Sequence, residues 1–388
     1  MKETPKAVIV GAGISGLVCA IALQRQNISV RVLEQADTLA PVGAGLSLWP
    51  NALHALGALG LSDAVTAAGA RLRRGEIRQA DGRVLSSMDT AGLAARTGMP
   101  CVMIHRAALH GLLLQALAPD TVSTGQTAES VVAAGGEGTP ARLRLHSGEE
   151  LEADILIAAD GANSRIRRQL WPASDLVYRG YTAWRGIVRA PHSARLGESG
   201  ESWGRGCRFG WSAVDHERIY WFATANQPAG ETVGGEARLS RLQTLFGDWH
   251  APIPTLLEAT PAEDILQNDI HDLPPLASWH RGRTVLLGDA AHPTTPNLGQ
   301  GACMGIESAL VLARQLDRHT SPEAAFKAFF QQRHKRVTGV MLQSRRIGAA
   351  GQWSSPAACW LRNRLASVIP SRLSEWQLDR LVQGFTLP

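Results

Sequence analysis

A glycine-rich turn near the N-terminus constrains the fold of this chain more than any other feature. The apolar run Ala7–Val10 is typical of a buried parallel strand, and the hexapeptide GAGISG (Gly11–Gly16) follows it directly. Leu17–Gln26 consists mainly of helix-forming residues, and Ser29–Leu33 predicts a second strand that ends at Glu34. Strand, glycine-rich turn, helix and strand form the βαβ unit that binds dinucleotides.

Each position of this turn has its own physical requirement. Gly11 permits the tight turn out of the strand, Gly13 lets the backbone approach a pyrophosphate, and Gly16 lets the helix pack closely on the strand. The helix N-terminus offers unpaired N–H groups and a partial positive charge to phosphates. Glu34 lies 21 residues beyond Gly13, where a carboxylate can accept hydrogen bonds from ribose hydroxyls. The motif predicts a bound dinucleotide but does not separate FAD from NAD.

Composition limits the class of protein. The chain has 388 residues, of which 45% are hydrophobic and 19% charged, the balance of an ordinary globular protein with two or three domains. Its five cysteines contain no C-x-x-C pair, which argues against a disulfide scaffold or zinc module and for a reducing compartment. The polar N-terminus predicts no signal peptide, and no apolar run reaches the roughly 18 residues of a membrane span. We therefore expect a cytoplasmic protein without a metal site.

The net charge of +5 is concentrated at the C-terminus. From Gln331 to Pro388 there are nine basic and two acidic residues, so the remainder of the chain is slightly acidic. A nucleic-acid-binding protein usually shows a basic stripe together with a recognition motif. Because no such motif is visible, we expect no nucleic-acid partner.

Two later motifs decide between the dinucleotides. The strand-like run Asp154–Ala159 opens into DGANSRIR (Asp160–Arg167), and Thr284–Leu287 opens into GDAAHP (Gly288–Pro293), followed by PNLGQGA (Pro296–Ala302). Both predict a buried strand, a loop and then a helix. In this order and at these separations, the three motifs resemble those of the single-component (group A) flavoprotein aromatic hydroxylases, the para-hydroxybenzoate hydroxylase-like family. The resemblance covers most of the chain and implies FAD as the cofactor.

The resemblance implies roles at the matching positions. Asp289 would hydrogen-bond the ribityl chain, and Arg106 would lie along the ribityl-phosphate side. Asp160 and Gly161 would form the turn that supports both the pyrophosphate and the approach of the hydride donor. The Pro296–Gly301 loop would run beside the isoalloxazine ring, its N–H groups favouring an anionic reduced flavin. We expect a structural role for His292. The residues expected to contact FAD are Gly11, Gly13, Ser15, Gly16, Glu34, Gln35, Ser47, Arg106, Val131, Asp160, Asp289, Gly299, Gln300, Gly301 and Ala302.

A second resident nicotinamide site is not expected. No further strand, G-x-G-x-x-G and helix unit follows the first, and Gly135–Gly138 lacks the pattern and predicts a hairpin loop. The resemblance implies that NADH or NADPH binds transiently against the flavin.

The segment from Tyr178 to His271 changes to short strands with aromatic residues. Tyr181–Val188 predicts a strand, and Arg208–Val214 with Arg218–Ala223 predict a hairpin around a polar turn. The resemblance places an antiparallel sheet here, beneath the flavin. Alternation puts Arg208, Gly210 and Ser212 on one face of their strand and Phe209 and Trp211 on the other. Tyr220 and Phe222 share a face of the next strand.

Arg208, Tyr220 and Pro296 are the candidates for substrate contact. Arg208 and Tyr220 match positions that face the pocket in relatives acting on urate and alkylquinolones. An Arg can orient an oxygen anion there and a Tyr can donate to a carbonyl; the alternative is an exposed strand Arg and a packed strand Tyr. No Asp or Glu stands out in the pocket strands as a base. Urate hydroxylase-like relatives tend to carry Asp where this chain has Asn297, which argues against urate.

The C-terminal segment carries an apolar stripe. Gly351–Pro356, Trp360–Leu365 and Val368–Pro370 resemble the tail of the 2-heptyl-4-quinolone 3-monooxygenase group. Trp360, Leu361, Leu365, Val368 and Ile369 recur at helical spacing beside two arginines. The first interpretation is a helix that packs this stripe on the body of the protein. The second is an interfacial helix that contacts a membrane surface.

Together these features predict an α/β fold with a Rossmann-type FAD-binding domain, an inserted antiparallel-sheet substrate domain and a C-terminal helical segment. The FAD-binding domain would comprise residues 1–72, 96–177 and 276–345. The substrate domain would comprise residues 73–95 and 178–275, and the tail residues 346–388.

The predicted activity is an NAD(P)H- and O2-dependent monooxygenation. An aromatic or N-heteroaromatic, quinolone-like substrate would be hydroxylated through the C4a-hydroperoxyflavin that the resemblance implies. The alternatives are a flavin-dependent epoxidase or oxidase, a urate hydroxylase, and a non-catalytic flavin-bound redox partner.

Overall fold

In this computed structural model, the structure describes residues 6–39, 44–136, 138–190, 197–368 and 371–385. The strands, in chain order, are β1 (Lys6–Val10), β2 (Ser29–Leu33), β3 (Gly45–Leu48), β4 (Ala70–Leu72), β5 (Arg74–Gln79), β6 (Val84–Asp89), β7 (Cys101–His105), β8 (Val122–Ser123), β9 (Ala128–Ala133), β10 (Ala141–Leu145), β11 (Glu150–Ala153), β12 (Ile155–Ala158), β13 (Val177–Arg189), β14 (Glu198–Trp203), β15 (Cys207–Ala213), β16 (Arg218–Asn226), β17 (Leu266–Asp272), β18 (His280–Arg281) and β19 (Thr284–Leu286).

The helices, in chain order, are α1 (Ile14–Gln24), α2 (Pro50–Ala58), α3 (Ser62–Ala68), α4 (Thr90–Thr97), α5 (Arg106–Gln115), α6 (Arg165–Leu170), α7 (Gly235–Phe246), α8 (Ile253–Glu258), α9 (Gly301–Arg318), α10 (Pro322–Gly351), α11 (Pro356–Val368) and α12 (Ser371–Gln383). Short 3-10 helices span Ala262–Asp264, Gly288–Ala290 and Pro296–Leu298. Among the described helices, none is both long enough and apolar enough to cross a bilayer.

The first sheet brings the three predicted motifs to one edge. Its strand order is β18-β19-β12-β1-β2-β8, and β1 pairs in parallel with both β12 and β2. β12 also pairs in parallel with β19. The loops after β1, β12 and β19 therefore lie side by side at the carboxyl ends of the strands, where ligands bind in open parallel sheets. The predicted Rossmann-type sheet is confirmed.

Apolar packing holds this sheet rigidly under the loops. Helix α1 is buried along most of its length and packs against α9 as well as the sheet. Leu17, Leu23, Ile306 and Leu312 are fully buried in this core. Each such side chain contributes about 2 kcal/mol by removal from water, so the loops stand on a close-packed base.

The second sheet has the order β17-β13-β16-β15-β14-β5-β6. The predicted hairpin is confirmed, because β15 and β16 pair antiparallel around the turn after Ala213. The predicted antiparallel sheet is confirmed, with one parallel pair, β14 with β5. Residues 80–197 separate these strands, a connection long enough to return the chain to the same end of the sheet. The boundaries of the two domains stay a prediction.

The two faces of this sheet have different neighbours. The outer face packs on α7 and α8 and carries Trp184, which is 1% exposed, with Phe209 stacked on Trp221 at 5.4 Å between ring centroids. Trp184 is thus part of the core of this sheet. The register pairs Arg208 with Thr224 and Ser212 with Tyr220, so these side chains share the inner face. This face contacts the loop at Asn297 and strand β3.

Candidate active site

The glycine-rich turn can be built only from glycine at two positions. Gly11 has a φ of +105°, and a Cβ atom there would collide with the carbonyl oxygen of Ala159 in the neighbouring loop. A Cβ on Gly16 would collide with the carbonyl oxygen of Gly11. At Gly13, by contrast, no heavy atom lies within 4 Å of the place a Cβ would take. The N-terminus of α1 therefore faces open space, as a phosphate site requires.

Glu34 is tied to this turn. One carboxylate oxygen accepts a hydrogen bond from the Ala12 N–H and the other from the Ala36 N–H, each at 3.0 Å. A carboxylate oxygen can accept more than one hydrogen bond, so Glu34 can still bind ribose hydroxyls. Gln35 is exposed beside it.

Asp160 has an unpaired carboxylate oxygen. Its Oδ2 accepts hydrogen bonds from the N–H groups of Arg165 (2.9 Å) and Ile166 (3.4 Å) at the start of α6. Its Oδ1 is buried and has no partner among the described residues. Burial raises the pKa of Asp160, although hydrogen bonds from Ser164 and the backbone oppose this. A polar group of a ligand would satisfy Oδ1, which is why this turn fits a cofactor.

Arg167 joins the second and third loops. It is buried, and its guanidinium donates to the carbonyl of Ala162 at 2.7 Å and to that of Ala290 at 3.2 Å. Arg167 is the last residue of the motif Asp160–Arg167, and the motif alone predicts no role for it. Its position fixes the separation of the two loops that carry Asp160 and Asp289.

Asp289 lies in a concave part of the surface. The residue is exposed, yet protein atoms crowd its carboxyl and raise its pKa, while Arg106 and Arg167 oppose the rise. A side chain that is exposed to solvent and yet surrounded by many protein atoms lies at the floor of a cleft, and Asp289 has both properties. Asp289 and Arg106, each expected to contact FAD, are near enough to interact electrostatically, and they offer an acceptor and a donor to ribityl hydroxyls and phosphate.

Ser15 packs against the third loop. A Cβ on Gly288, which has a φ of +61°, would collide with the Ser15 hydroxyl, and so would a Cβ on Gly305. The first and third loops and helix α9 therefore meet at Ser15 with no space between them.

The Pro296–Ala302 loop begins with exposed Pro296 and passes through Gly299, which has a φ of +60°. The Ser47 hydroxyl donates to the Gly299 carbonyl at 3.0 Å. Gln300 is buried; its Oε1 accepts from Asn51 at 3.0 Å, while its Nε2 has no partner among the described residues. Helix α9 starts at Gly301 and leads into Ala302.

A buried ion cluster lies behind this loop. Glu307 is fully buried and pairs with Arg333 at 2.6 Å and Arg336 at 2.8 Å. Asn51 donates to the same carboxylate at 2.6 Å and also to Gln300. Burial favours the neutral acid, but the two arginines outweigh it and lower the pKa of Glu307. No sequence pattern predicts this cluster, because its members lie on three separate helices, α2, α9 and α10.

Two other expectations concern buried residues. The N–H and C=O of Val131 are both paired with the side chain of Gln169, at 2.7 and 2.8 Å, so a contact of Val131 with FAD would involve other atoms and stays a prediction. His292 is buried within 3.2 Å of the Ser308 hydroxyl. Burial and Arg333 lower the pKa of His292 to about 3. It is therefore neutral at pH 7, in keeping with a structural role.

Arg208 lies at the junction of three elements. It is 2% exposed, so the interpretation as an exposed strand residue is wrong. Its guanidinium donates to Glu201 at 3.0 Å, to Asn297 at 2.8 Å and to Gln352 at 3.0 Å. These bonds connect the inner sheet face to the Pro296–Ala302 loop and to the end of α10.

Glu201 is an acid that sequence analysis missed. It lies on β14, on the same face as Arg208, and also accepts from the Trp203 indole N–H at 2.8 Å. The expectation that no acid stands out in the pocket strands is therefore wrong. The β14 sequence Glu198–Trp203 contains two glutamates and little apolar alternation, so only strand register reveals which one faces inward.

Tyr220 forms the apolar part of the same face. It is buried with Met103 and Val214, and its ring centroid lies 6.4 Å from that of Phe222. A Cβ on Gly45 would come within 2.5 Å of the Tyr220 ring, so a glycine there lets the ring lie against β3. Burial raises the pKa of Tyr220 against the effect of Arg185. The phenol is therefore protonated and can act as a donor.

These features define an FAD-dependent oxidoreductase. Three adjoining loops with phosphate- and ribose-binding groups lie at the edge of a parallel sheet, and the inner face of the second sheet lies opposite the third loop. The chain belongs to the family described as "FAD binding domain", whose model matches residues 4–179 and 274–344. Its relatives and structural neighbours show it to be an FAD-dependent monooxygenase of the aromatic hydroxylase type.

Two curated relatives extend over nearly the whole chain. The chain is 41% identical to aurachin C monooxygenase/isomerase of Stigmatella aurantiaca over 96% of each protein. It is 34% identical to 2-heptyl-3-hydroxy-4(1H)-quinolone synthase of Pseudomonas aeruginosa over 97% of each. Among solved structures, Klebsiella pneumoniae HpxO complexed with FAD and uric acid is similar with a TM-score of 0.92 at 27% identity, over 100% of this chain and 99% of that one.

The described residues fit FAD. The open space at Gly13, the unpaired Asp160 Oδ1 and the Asp289 carboxyl in its cleft are the kinds of group that a pyrophosphate and a ribityl chain require. Which individual residues touch the cofactor stays a prediction, as does the catalytic role of Arg208, Tyr220 and Pro296.

Proposed function

We propose that this protein uses NADH or NADPH and O2 to hydroxylate a flat N-heteroaromatic substrate with an apolar substituent, a quinolone rather than urate. The observation that carries the proposal is the division of the inner sheet face. Its one end carries the buried guanidinium of Arg208, and its other end carries the rings of Tyr220 and Phe222, with Arg185 opposite Phe222 on β13. The name of the Pseudomonas relative describes a product with the same division, a quinolone bearing a heptyl chain.

At the end of the face near Arg208, two N–H groups of the guanidinium are not used by its three hydrogen bonds. Its hydrogen bonds to Glu201, Asn297 and Gln352 use one N–H on each of its three nitrogens, whereas a guanidinium has five N–H groups. Two donors are thus left for a substrate oxygen. The three bonds fix the guanidinium plane, so a quinolone carbonyl would meet a donor whose orientation is already set.

Asn297 supports a quinolone over urate. Its Oδ1 accepts from Arg208 at 2.8 Å and its Nδ2 donates to the Ser344 carbonyl at 3.0 Å. An amide in this fixed orientation takes up no proton near neutral pH. The site therefore lacks a carboxylate base at the position where urate hydroxylase-like relatives tend to have one.

At the other end, aromatic and aliphatic side chains line the inner face. A Cβ on Gly210 would collide with the Phe222 ring, so the glycine allows this ring to lie across the neighbouring strand. Met103 and Val214 continue this lining beside Tyr220. An alkyl substituent would be removed from water there, at about 0.8 kcal/mol for each CH2 group.

Bound FAD supplies hydride acceptance and oxygen activation. The chain itself must orient the ring of the substrate, through Arg208, and exclude water from the reacting atoms. Exclusion of water is favoured by the buried Arg208 network on one side and the side chains around Tyr220 on the other. We place this activity in the cytoplasm, as expected from the cysteine content.

The test is a comparison of substrates on the purified FAD-loaded protein. NADH and NADPH oxidation is followed with 2-heptyl-4-quinolone, with urate and with neither, and the product is analysed by mass spectrometry after reaction under 18O2. We expect stimulation by the quinolone and one labelled oxygen atom in its product. Stimulation with unlabelled product would indicate an oxidase, and labelled product from urate alone would refute the substrate assignment.

A further inference from the structure

The apolar stripe of α11 faces solvent. Trp360, Leu361, Leu365 and Val368 are 68%, 47%, 52% and 54% exposed, while Ile369 lies outside the described residues. The interpretation that this stripe packs on the body of the protein is therefore wrong for its described members. Four large apolar side chains on one helix face form a larger exposed patch than isolated surface residues do.

A buried arginine fixes this orientation. The inward face of α11 carries Cys359 and Arg362, which are 6% and 5% exposed. Arg362 donates to the carbonyls of Gly351 and Gly204, each at 3.0 Å, and lies 5.1 Å from the centroid of the Trp203 ring. Rotation of the helix to bury the stripe would expose these carbonyls and break the bonds. The packing of Arg362 therefore determines that the apolar face of α11 points toward solvent.

The surroundings of the stripe are basic. Trp353, 40% exposed, precedes α11, and we call Trp353, Trp360, Leu361, Leu365 and Val368 the α11 patch. Arg364 is exposed on the same helix face, and Arg205 is exposed next to Gly206, whose N–H donates to the Trp353 carbonyl at 2.8 Å. No acidic residue occurs in the sequence between Glu323 and Glu375.

We propose that the α11 patch docks on the surface of an anionic lipid bilayer. Tryptophan and aliphatic side chains between arginines are the composition of helices that lie in the headgroup region, and the arginines complement lipid phosphates. A second copy of the chain is a poorer occupant. A twofold contact through this patch would bring Arg364 and Arg205 of one protomer toward those of its partner, and like charges at close range repel.

The patch adjoins the substrate end of the site. Gln352, next to Trp353, accepts from Arg208 at 3.0 Å and from the Thr224 hydroxyl at 3.1 Å. Docking would hold this end of the protein against the phase in which an alkyl-substituted substrate concentrates. This role of docking in substrate supply rests on the proposed function, whereas the docking itself does not.

The experiment is co-sedimentation of the full-length FAD-loaded protein with vesicles of phosphatidylcholine, with and without 30% phosphatidylglycerol, at two salt concentrations. We expect binding to the anionic vesicles, weaker at high salt. The double variant Trp360→Ser, Leu365→Ser should reduce the binding constant about tenfold or more. Val132→Ser on β9 and Leu266→Ser on β17 remove apolar side chains that are 38% and 36% exposed, and they should leave binding unchanged.

The outcomes separate the proposal from its rivals. No binding of the native protein to anionic vesicles, or equal binding by the double variant, would overturn it. A dimer in solution that the double variant converts to a monomer would assign the patch to a second copy instead. NADH or NADPH oxidation with 2-methyl-4-quinolone, without vesicles, should be equal in both proteins, which shows that the variant is folded. Vesicle binding without oxidation on any quinolone would leave the docking intact and refute the proposed function.

Discussion

Removal of the buried charge at Glu307 should destabilise the protein more than removal of any ordinary surface charge. Glu307 is 0% exposed, and its partners Arg333 and Arg336 are 2% and 14% exposed. In Glu307→Gln the carboxylate is lost, so Arg333 is left as a buried and uncompensated cation. Breaking a buried ion pair on one side costs about 3–5 kcal/mol. The retained amide can still accept one hydrogen bond, so we expect about 3 kcal/mol.

The pH dependence gives this prediction a second readout. The folded protein lowers the pKa of Glu307 below its ordinary value near 4.5. A lowered pKa means that the ionised form contributes stability above the unfolded-state pKa and that this contribution is lost as the pH falls through the folded-state pKa. The free-energy difference between native protein and Glu307→Gln should therefore be constant at neutral pH and shrink on acidification below about pH 4.5.

The assay is urea unfolding at pH 7 and at decreasing pH, followed by tryptophan fluorescence. Glu323→Gln is the matched control, because Glu323 pairs with Arg283 at 3.4 Å on the surface, with 29% and 16% of the side chains exposed. Such a pair contributes about 0–1 kcal/mol. A loss below about 1 kcal/mol for Glu307→Gln, or a difference that does not depend on pH, would refute the assignment of Glu307 as a buried ionised residue.

Three further substitutions test the site. Arg208→Gln should lower kcat/KM for a quinolone about 30-fold, because one charge-assisted hydrogen bond of about 2 kcal/mol is lost. The flavin absorbance should not change, and loss of flavin would contradict the placement of Arg208 in the substrate pocket. Gly16→Ala should abolish FAD binding and destabilise the fold by about 3 kcal/mol, because its Cβ would collide with the carbonyl of Gly11. In the same urea unfolding experiment, Gly111→Ala, in open space on α5, should stabilise the fold by about 1 kcal/mol. Asp289→Asn should raise the Kd of FAD about tenfold, measured by quenching of flavin fluorescence, and an unchanged Kd would exclude its ribityl contact.

Local motifs made the parallel sheet predictable. The loops after β1, β12 and β19 each begin at a strand end and contain a recognisable turn, so their positions at one edge follow from strand order. Alternation along each strand predicts which side chains share a face of the second sheet. It therefore identified Arg208 and Tyr220 as candidates for the inner face.

Contacts between distant segments were not predictable. Gln352 and Arg208 are 144 residues apart and meet only because α10 is long enough to return to the sheet. In the sequence, Glu307 and Arg333 are each one polar residue among many on a helix, and nothing in the sequence indicates that they form an ion pair. On α11 the apolar spacing predicted burial, yet the hydrogen bonds of Arg362 to two carbonyls decide which side of the helix faces inward.

The most direct test of the central claim is a visible spectrum of the purified protein, followed in the same cuvette by NADH or NADPH oxidation with 2-heptyl-4-quinolone. A flavin-dependent hydroxylase predicts flavin absorbance and a rate of nicotinamide oxidation that rises when the quinolone is added. Flavin absorbance with no rise for any hydroxylated aromatic or quinolone would contradict the proposed activity. Failure to take up FAD on reconstitution would contradict the cofactor site itself.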